Sequence, residues 1–207
     1  MRFAVLTGDF VDSTDLAPAT LDAAMAELAS AAADVAGWRA EAPVAAHFAR
    51  RGGDGWQVAL DRPALWLRVS LYLRARLRQA ARDSAPTRIA IATGQGALPD
   101  DHDPNAAHGA AFTASGRLLE ALPAALLMSH AGGGAETASA VLADTLSQGW
   151  TRTQARTLCA LLPPAPPTHA EVAERLGVSR QAVDQSARAA GLPALTAAMS
   201  AIEEAGR

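Results

Sequence analysis

Brief apolar runs and stripes of apolar residues at helical spacing alternate over the first 130 residues of the chain. Residues 2 to 8, RFAVLTG, form a short apolar run stopped by Gly8-Asp9, which predicts a buried strand. Thr20 is a candidate N-cap for a helix in which Leu21, Met25, Leu28, Ala32 and Val35 recur on one face until Gly37. The runs VAAHFARR and WQVALDR flank Gly52-Gly53-Asp54-Gly55, a tetrapeptide suited to the positive backbone angles of a tight hairpin. From Pro63 to Asp83 a second helix carries Trp66, Val69, Leu73, Leu77 and Ala80 on one face and Arg74, Arg78 and Arg82 on the opposite, solvated face. TRIAIATGQGAL reads as a strand, PDDHDPNAAHG as a loop, GAAFTASGRLLEAL as a helix and ALLMSH as a last short strand. Strand, helix, strand, strand, helix, strand, helix, strand is the order of a ferredoxin-like α+β sandwich, with an antiparallel or mixed sheet covered on one side by helices.

Beyond His130 the pattern is helical only, and LLPPAPP at 161 to 167 interrupts it with four prolines. This division predicts a domain over 1–134, a connecting helix over 135–149 and a small all-α helix-turn-helix domain over 150–207. Within the last of these, Thr168 caps a short helix carrying Val172, Ala173 and Leu176; Gly177 allows the turn and Val178 points inward. Ser179 then caps a second helix running to Gly191, and a helix from about Thr151 to Leu162 supplies the third member, with Leu158, Leu161 and Leu162 facing in. In this arrangement the second helix enters a DNA major groove, so Ser179, Arg180, Gln181, Asp184, Gln185 and Arg188 are the candidate DNA contacts. The same pattern also describes an alanine-rich helical hairpin that only packs or dimerises.

Composition changes this picture in three ways. Of 207 residues 52 are alanine, so the apolar half of the chain consists more of small helix formers than of bulky core residues. All 18 basic residues are arginine against 21 acidic ones, and the net charge of -3 gives no global attraction to nucleic acid or to an anionic membrane. Residues 150–207 hold six arginines and five acidic side chains, so DNA binding there depends on a local patch and gains from dimerisation. Cys159 is the single cysteine and is read as core; an intramolecular disulfide and a cysteine zinc cluster are excluded. A reducing cytoplasm is the expected location, and no apolar run approaches the roughly 18 residues that would span a bilayer.

Two carboxylates carry the candidate chemistry. Asp9 ends the first strand and Asp54 sits at the hairpin tip, and a magnesium ion needs one or two carboxylates plus phosphate oxygens. Each aspartate is equally of the type that closes a turn. VLTGDFVDST resembles the first metal-aspartate motif of the class III nucleotidyl cyclases, and RRGGDGWQVAL resembles the second. RIAIATGQG is similar to the strand that follows, and GAAFTASGRLLEAL to the helix whose Asn and Arg contact ribose and phosphates. A GDFVDS start, a GD hairpin followed by Gln57 and a terminal helix-turn-helix resemble the SatD-like proteins more closely still.

The resemblance implies that Asp9 and Asp54 bind magnesium, that the backbone of Phe10, Val11, Asp12, Ser13 and Thr14 cradles phosphates, and that Arg117 is the transition-state arginine. It also places Thr113 at the ribose-binding Asn position, Arg50 at a base-selecting Lys and Ala106 at a base-selecting acid, three departures from cyclase chemistry. The expected protein is a cytoplasmic, homodimeric DNA-binding transcriptional regulator whose cyclase-like domain senses a nucleotide or cyclic dinucleotide. The alternative is an active magnesium-dependent nucleotidyl cyclase or another phosphoryl-transfer enzyme with an accessory helix-turn-helix. Asp101, His102, Asp103 and His108 are read as plain loop, and Asp12 and Asp15 as caps or a source of negative potential.

Overall fold

The computed structural model describes residues 1–38, 42–80 and 86–206; Arg82 and Asp83, expected to end the second helix, lie outside the described residues. Strands β1 (Arg2–Phe10), β2 (Ala46–Arg51), β3 (Gly55–Leu60), β4 (Thr87–Gln95) and β5 (Met128–His130) form one sheet in the order β2-β3-β1-β4-β5. Neighbouring strands are antiparallel except β4 and β5, which are parallel. Helices α1 (Pro18–Ala36), α2 (Trp66–Ala80) and α3 (Ala110–Ala121) fall between them in the expected order. The fold is mixed α+β, with a five-stranded sheet and eight α-helices among the described residues.

Three local expectations are corrected. The first helix begins before Thr20, with Pro18 in its first turn, because proline has no amide to leave unpaired there and its fixed φ suits the helix start. Strand β1 is not stopped by Gly8-Asp9: Gly8 lies opposite Trp56 and Ile89, and Asp9 opposite Gly55 and Arg88, so ladder pairing on both sides outweighs the local turn tendency. The sheet is covered on both faces. Alternation along β1 sends Ala4, Leu6 and Phe10 to the core shared with α1 and α2, and Phe3 and Val5 to Ala111 and Phe112 of α3. The parallel step from β4 to β5 needs a crossover, and α3 provides it on the second face.

The remaining helices are α4 (Gly134–Gln148), α5 (Arg152–Leu161), α6 (His169–Leu176), α7 (Arg180–Ala189) and α8 (Leu192–Ala205). One apolar core runs without a break from Leu6 and Val58 in the sheet, through Leu67 and Leu71 of α2, to Leu158, Val172, Val183 and Met199 in the C-terminal helices. Trp150 sits at the junction, fully buried, and its indole N–H donates to the Ala190 carbonyl at 2.9 Å. Among the described residues no helix is long and apolar enough to cross a membrane.

Helix α2 is buried on almost every side, and the solvated arginine face expected for it is instead an interface. The Arg74 side chain is 11% exposed and donates to the Asp144 carboxylate at 2.7 Å and to Ser147 at 2.5 Å; the Asp144 side chain is 0% exposed. Burial lowers the Arg74 pKa, and the Asp144 charge opposes that shift. Arg78 donates to the Trp150 carbonyl at 2.8 Å, and Arg68 forks onto Glu203 of α8 at 2.6 and 3.1 Å while reaching the Leu162 carbonyl at 2.7 Å.

Asp144 also accepts from the Leu127 amide at 2.8 Å, so Asp144→Ala strands both a buried guanidinium and a backbone donor. Urea unfolding is expected to show a loss of about 3–5 kcal/mol for this variant. Asp22→Ala breaks only the exposed Arg50 pair and is expected to cost no more than about 1 kcal/mol.

Candidate functional site

The two carboxylates meet at one end of the sheet. Asp9 projects from β1 on the α3 side, opposite Gly55 of β3 and Arg88 of β4, and Asp54 immediately precedes Gly55 at the hairpin tip. Arg88 donates through Nε to Asp9 Oδ1 at 2.7 Å and through Nη2 to Asp9 Oδ2. Hydrogen bonding to Asp9 raises the Arg88 pKa against the opposing effect of burial, and the charges of Asp9 and Asp54 add to the rise. Ser13 Oγ donates to Asp54 Oδ2 at 2.5 Å, the length of a charge-assisted bond.

Two glycines make this approach possible. A Cβ on Gly8 would lie 2.4 Å from the Arg88 carbonyl and from the Trp56 ring, and one on Gly55 would lie 2.5 Å from the Arg51 carbonyl. The next loop turns sharply at Asp12, which adopts φ 51° and ψ 37°, and enters a single 3-10 turn over Ser13–Asp15. The Val11 amide is taken by the Pro86 carbonyl at 2.8 Å, and the amides of Asp12, Ser13 and Thr14 line the turn that follows it. A left-handed residue followed by right-handed ones turns successive N–H groups toward one side, the geometry of an anion-binding nest. Phe10 contributes only backbone here, since its ring is buried in the core.

Among the described residues no group of three or more His, Cys, Asp or Glu side chains is placed to hold a metal ion. Asp9 and Asp54 suit a hard cation that takes its other ligands from phosphate or water, and each carboxylate oxygen keeps a second acceptor direction beside its present bond.

The other expected contacts are placed elsewhere. Arg50 is tied to the Gly53 carbonyl at 2.9 and 2.7 Å and to Asp22 at 2.6 Å, and Asn105 reaches its carbonyl at 3.1 Å. Ala106 is exposed in a 3-10 turn over Pro104–Ala106. Helix α3 turns Ser115 inward, where a buried polar chain runs from Gln57 to Thr7 at 2.9 Å and from Thr7 to Ser115 at 2.8 Å. Thr113 and Arg117 lie exposed on the same helix, with no bond to Asp9, Asp54 or Arg88. Arg88 is the residue that sequence reasoning missed. Its signal was the alternation in TRIAIAT, which sets an arginine on the face opposite Ile89 and Ile91.

At the other end of the chain, α6 closes on Gly177 in the left-handed region, with Gly177 N–H bonded to Glu174 and Val178 N–H to Ala173, a Schellman ending. This ending leaves Val178 39% exposed, so it does not point inward as expected. Ser179 Oγ accepts from the Ala182 amide at 3.2 Å and starts α7, whose Val183 and Ala187 are buried. Arg180, Gln181, Gln185 and Arg188 are exposed. Asp184 is half-buried and accepts a hydrogen bond from His169 of α6; that bond holds its carboxyl below the usual carboxylate range.

No family model matches the chain, and no curated protein matches it. Among solved structures it is similar to the crystal structure of the guanylyl cyclase Cya2, at 16% identity and a TM-score of 0.43, over 65% of this chain and 79% of that one.

Gly8→Ala is expected to destabilise the protein by about 1–3 kcal/mol, because the intruding methyl meets backbone and a buried indole rather than a flexible side chain. Gly116→Ala meets nothing within 4 Å on the open side of α3 and is expected to be neutral or stabilising by up to about 1 kcal/mol. Paired thermal unfolding curves separate the two.

Proposed function

We propose that the protein is a DNA-binding regulator that responds to a nucleotide. The observation that carries the nucleotide part is the convergence of Asp9, Asp54 and Arg88 with the left-handed turn at Asp12 at one sheet end. Carboxylates, a guanidinium fork and backbone N–H groups in one place are the complements of a divalent cation and phosphate oxygens. Asp9 and Asp54 would hold magnesium, which would neutralise phosphate charge. Arg88 would lend its guanidinium to the phosphates, and the Asp12 to Thr14 amides would receive their oxygens. DNA binding is supported by α7, where Ser179 caps the helix and Arg180 and Gln181 occupy an exposed first turn, followed by Gln185 and Arg188. Thr113 and Arg117 on the open face of α3 suit a homodimer in which a second copy completes the ligand site. The retained carboxylate pair and Arg88 also favour a second reading, a magnesium-dependent nucleotidyl cyclase or other phosphoryl-transfer enzyme.

Calorimetric titration with nucleoside triphosphates and cyclic dinucleotides, with and without magnesium, tests the ligand site. Asp54→Asn is the cleaner variant, since among the described residues Asp54 bonds only Ser13, and is expected to weaken magnesium-dependent binding by about tenfold or more. Unchanged affinity in that variant rejects the site, and rapid cyclic nucleotide formation that Asp54→Asn abolishes establishes the enzyme reading instead.

Selection of sites from random DNA is expected to enrich an inverted repeat. Arg180→Ala should then lose about 1–3 kcal/mol of discrimination at one base position with little change in nonspecific affinity. Failure to enrich any sequence removes DNA binding from the proposal.

A further inference from the structure

We propose that a cleft between α1, α2 and α5 binds a small ligand bearing two or more phosphate groups. The cleft measures about 630 Å³ and is lined by Glu27 of α1, Arg76 and Gln79 of α2, and Arg152, Thr153 and Arg156 of α5. Its volume falls within the range of small-molecule sites. The three guanidinium groups are not equivalent. Arg76 is already met, by Glu27 at 2.6 Å, by Asp34 and by Ser30 at 3.2 Å. Arg152 uses only Nε, donating to the Gln79 carbonyl at 2.8 Å, so both of its terminal nitrogens remain unpaired among the described residues. Arg156 is exposed and makes no hydrogen bond or ion pair among the described residues.

Arg152 and Arg156 stand four residues apart on one helix, a spacing at which like charges repel and cost helix stability. The chain as a whole is acidic, with 21 carboxylates, yet no described carboxylate answers either side chain. The first helical residues of α5, Arg152 and Thr153, also bring the positive end of that helix to the cleft. The surplus is therefore a pair of guanidinium forks, with the Thr153 hydroxyl and the Gln79 amide beside them. Guanidinium forks bind phosphate through paired N–H donors, and two of them match a ligand with adjacent phosphates better than a single anion. None of the lining residues is aromatic, so the cleft recognises the phosphates and not a base. Nothing here uses Asp9, Asp54 or Arg88, and no metal is needed.

Inorganic diphosphate is the probe, titrated calorimetrically into the full-length protein at low ionic strength with EDTA present, which silences any magnesium-dependent binding at the sheet end. Saturable one-to-one binding is expected. Arg156→Gln, which breaks no bond among the described residues, should weaken it at least tenfold, Arg152→Gln should weaken it too, and Asp54→Asn should leave it unchanged. Absence of saturable binding overturns the proposal, as does equal affinity in Arg156→Gln. Weaker binding in Asp54→Asn assigns the diphosphate to the sheet end and overturns it also. A DNA duplex forms the last arm: if duplex affinity falls in Arg156→Gln while diphosphate does not bind, the cleft is a DNA backbone contact and the small-ligand assignment is lost.

Discussion

The helices on the α2 side of the sheet are positioned by the burial of α2. A helix with so little solvent face must meet most of its charges inside the protein, and α2 carries Arg68, Arg74, Arg76 and Arg78. Their partners are spread over α1, α4, α8 and the loop carbonyls at Trp150 and Leu162, and Arg68 pairs with a glutamate 135 residues away. Such pairs give little net stability over apolar residues of the same size, because desolvation offsets most of their attraction, but losing one partner is costly. Their consequence is register. The C-terminal helices cannot slide along α2 without leaving a guanidinium buried and unmatched.

The same logic of matched charge operates at the sheet end. Asp9 comes from β1 and Asp54 from the hairpin tip before β3, and Arg88 across the β1–β4 ladder supplies a cation that feels both charges. Arg88 stays protonated there, since Asp9 raises its pKa. On the proposed reading, a divalent cation entering alone would face that fixed positive charge. Phosphate oxygens arriving with it would satisfy Arg88 together with the backbone amides of the Asp12 turn. Metal and phosphate are thus expected to bind as one unit, a consequence of electrostatics that two carboxylates by themselves would not impose.

Local signals were legible and pair-dependent ones were not. The Gly52–Gly55 hairpin, the order of strands and helices, and the caps at Thr168 and Ser179 each depend on a few neighbouring residues, and each is found where the pattern places it. Asp9 and Asp54 were found as candidates from their places at a strand end and a hairpin tip and from the resemblance to the cyclase motifs. Arg88 was missed because its role depends on antiparallel register, which sets it opposite a residue 79 positions away. Arg74 and Arg78 of α2 were assigned to solvent because helical periodicity separates apolar from charged residues but does not count how many partners a helix has. Val178 failed for a subtler reason: a Schellman ending satisfies its amide and leaves the side chain outside.

A small pocket beside α2 lies between the contacts of the sheet end and those of the C-terminal helices. Thr87 donates to the Asp9 carbonyl at 2.7 Å and accepts from Trp56 at 2.9 Å, and it lines a small pocket that Arg78 also lines. Arg78 holds the Trp150 carbonyl, and the Trp150 indole holds the carbonyl of Ala190 at the end of α7. Adjacency of this kind is not coupling, which requires an element with two arrangements that both sites bias. The pins on α2 restrict what those arrangements can be. A gradual drift of α5 to α8 over α2 would break several charged contacts before any new ones form, so an alternative seating must exchange partners in a discrete step. On the proposed reading, a nucleotide at the sheet end would change DNA affinity only by the difference in its own affinity for two such seatings, and DNA would change nucleotide affinity by the same factor.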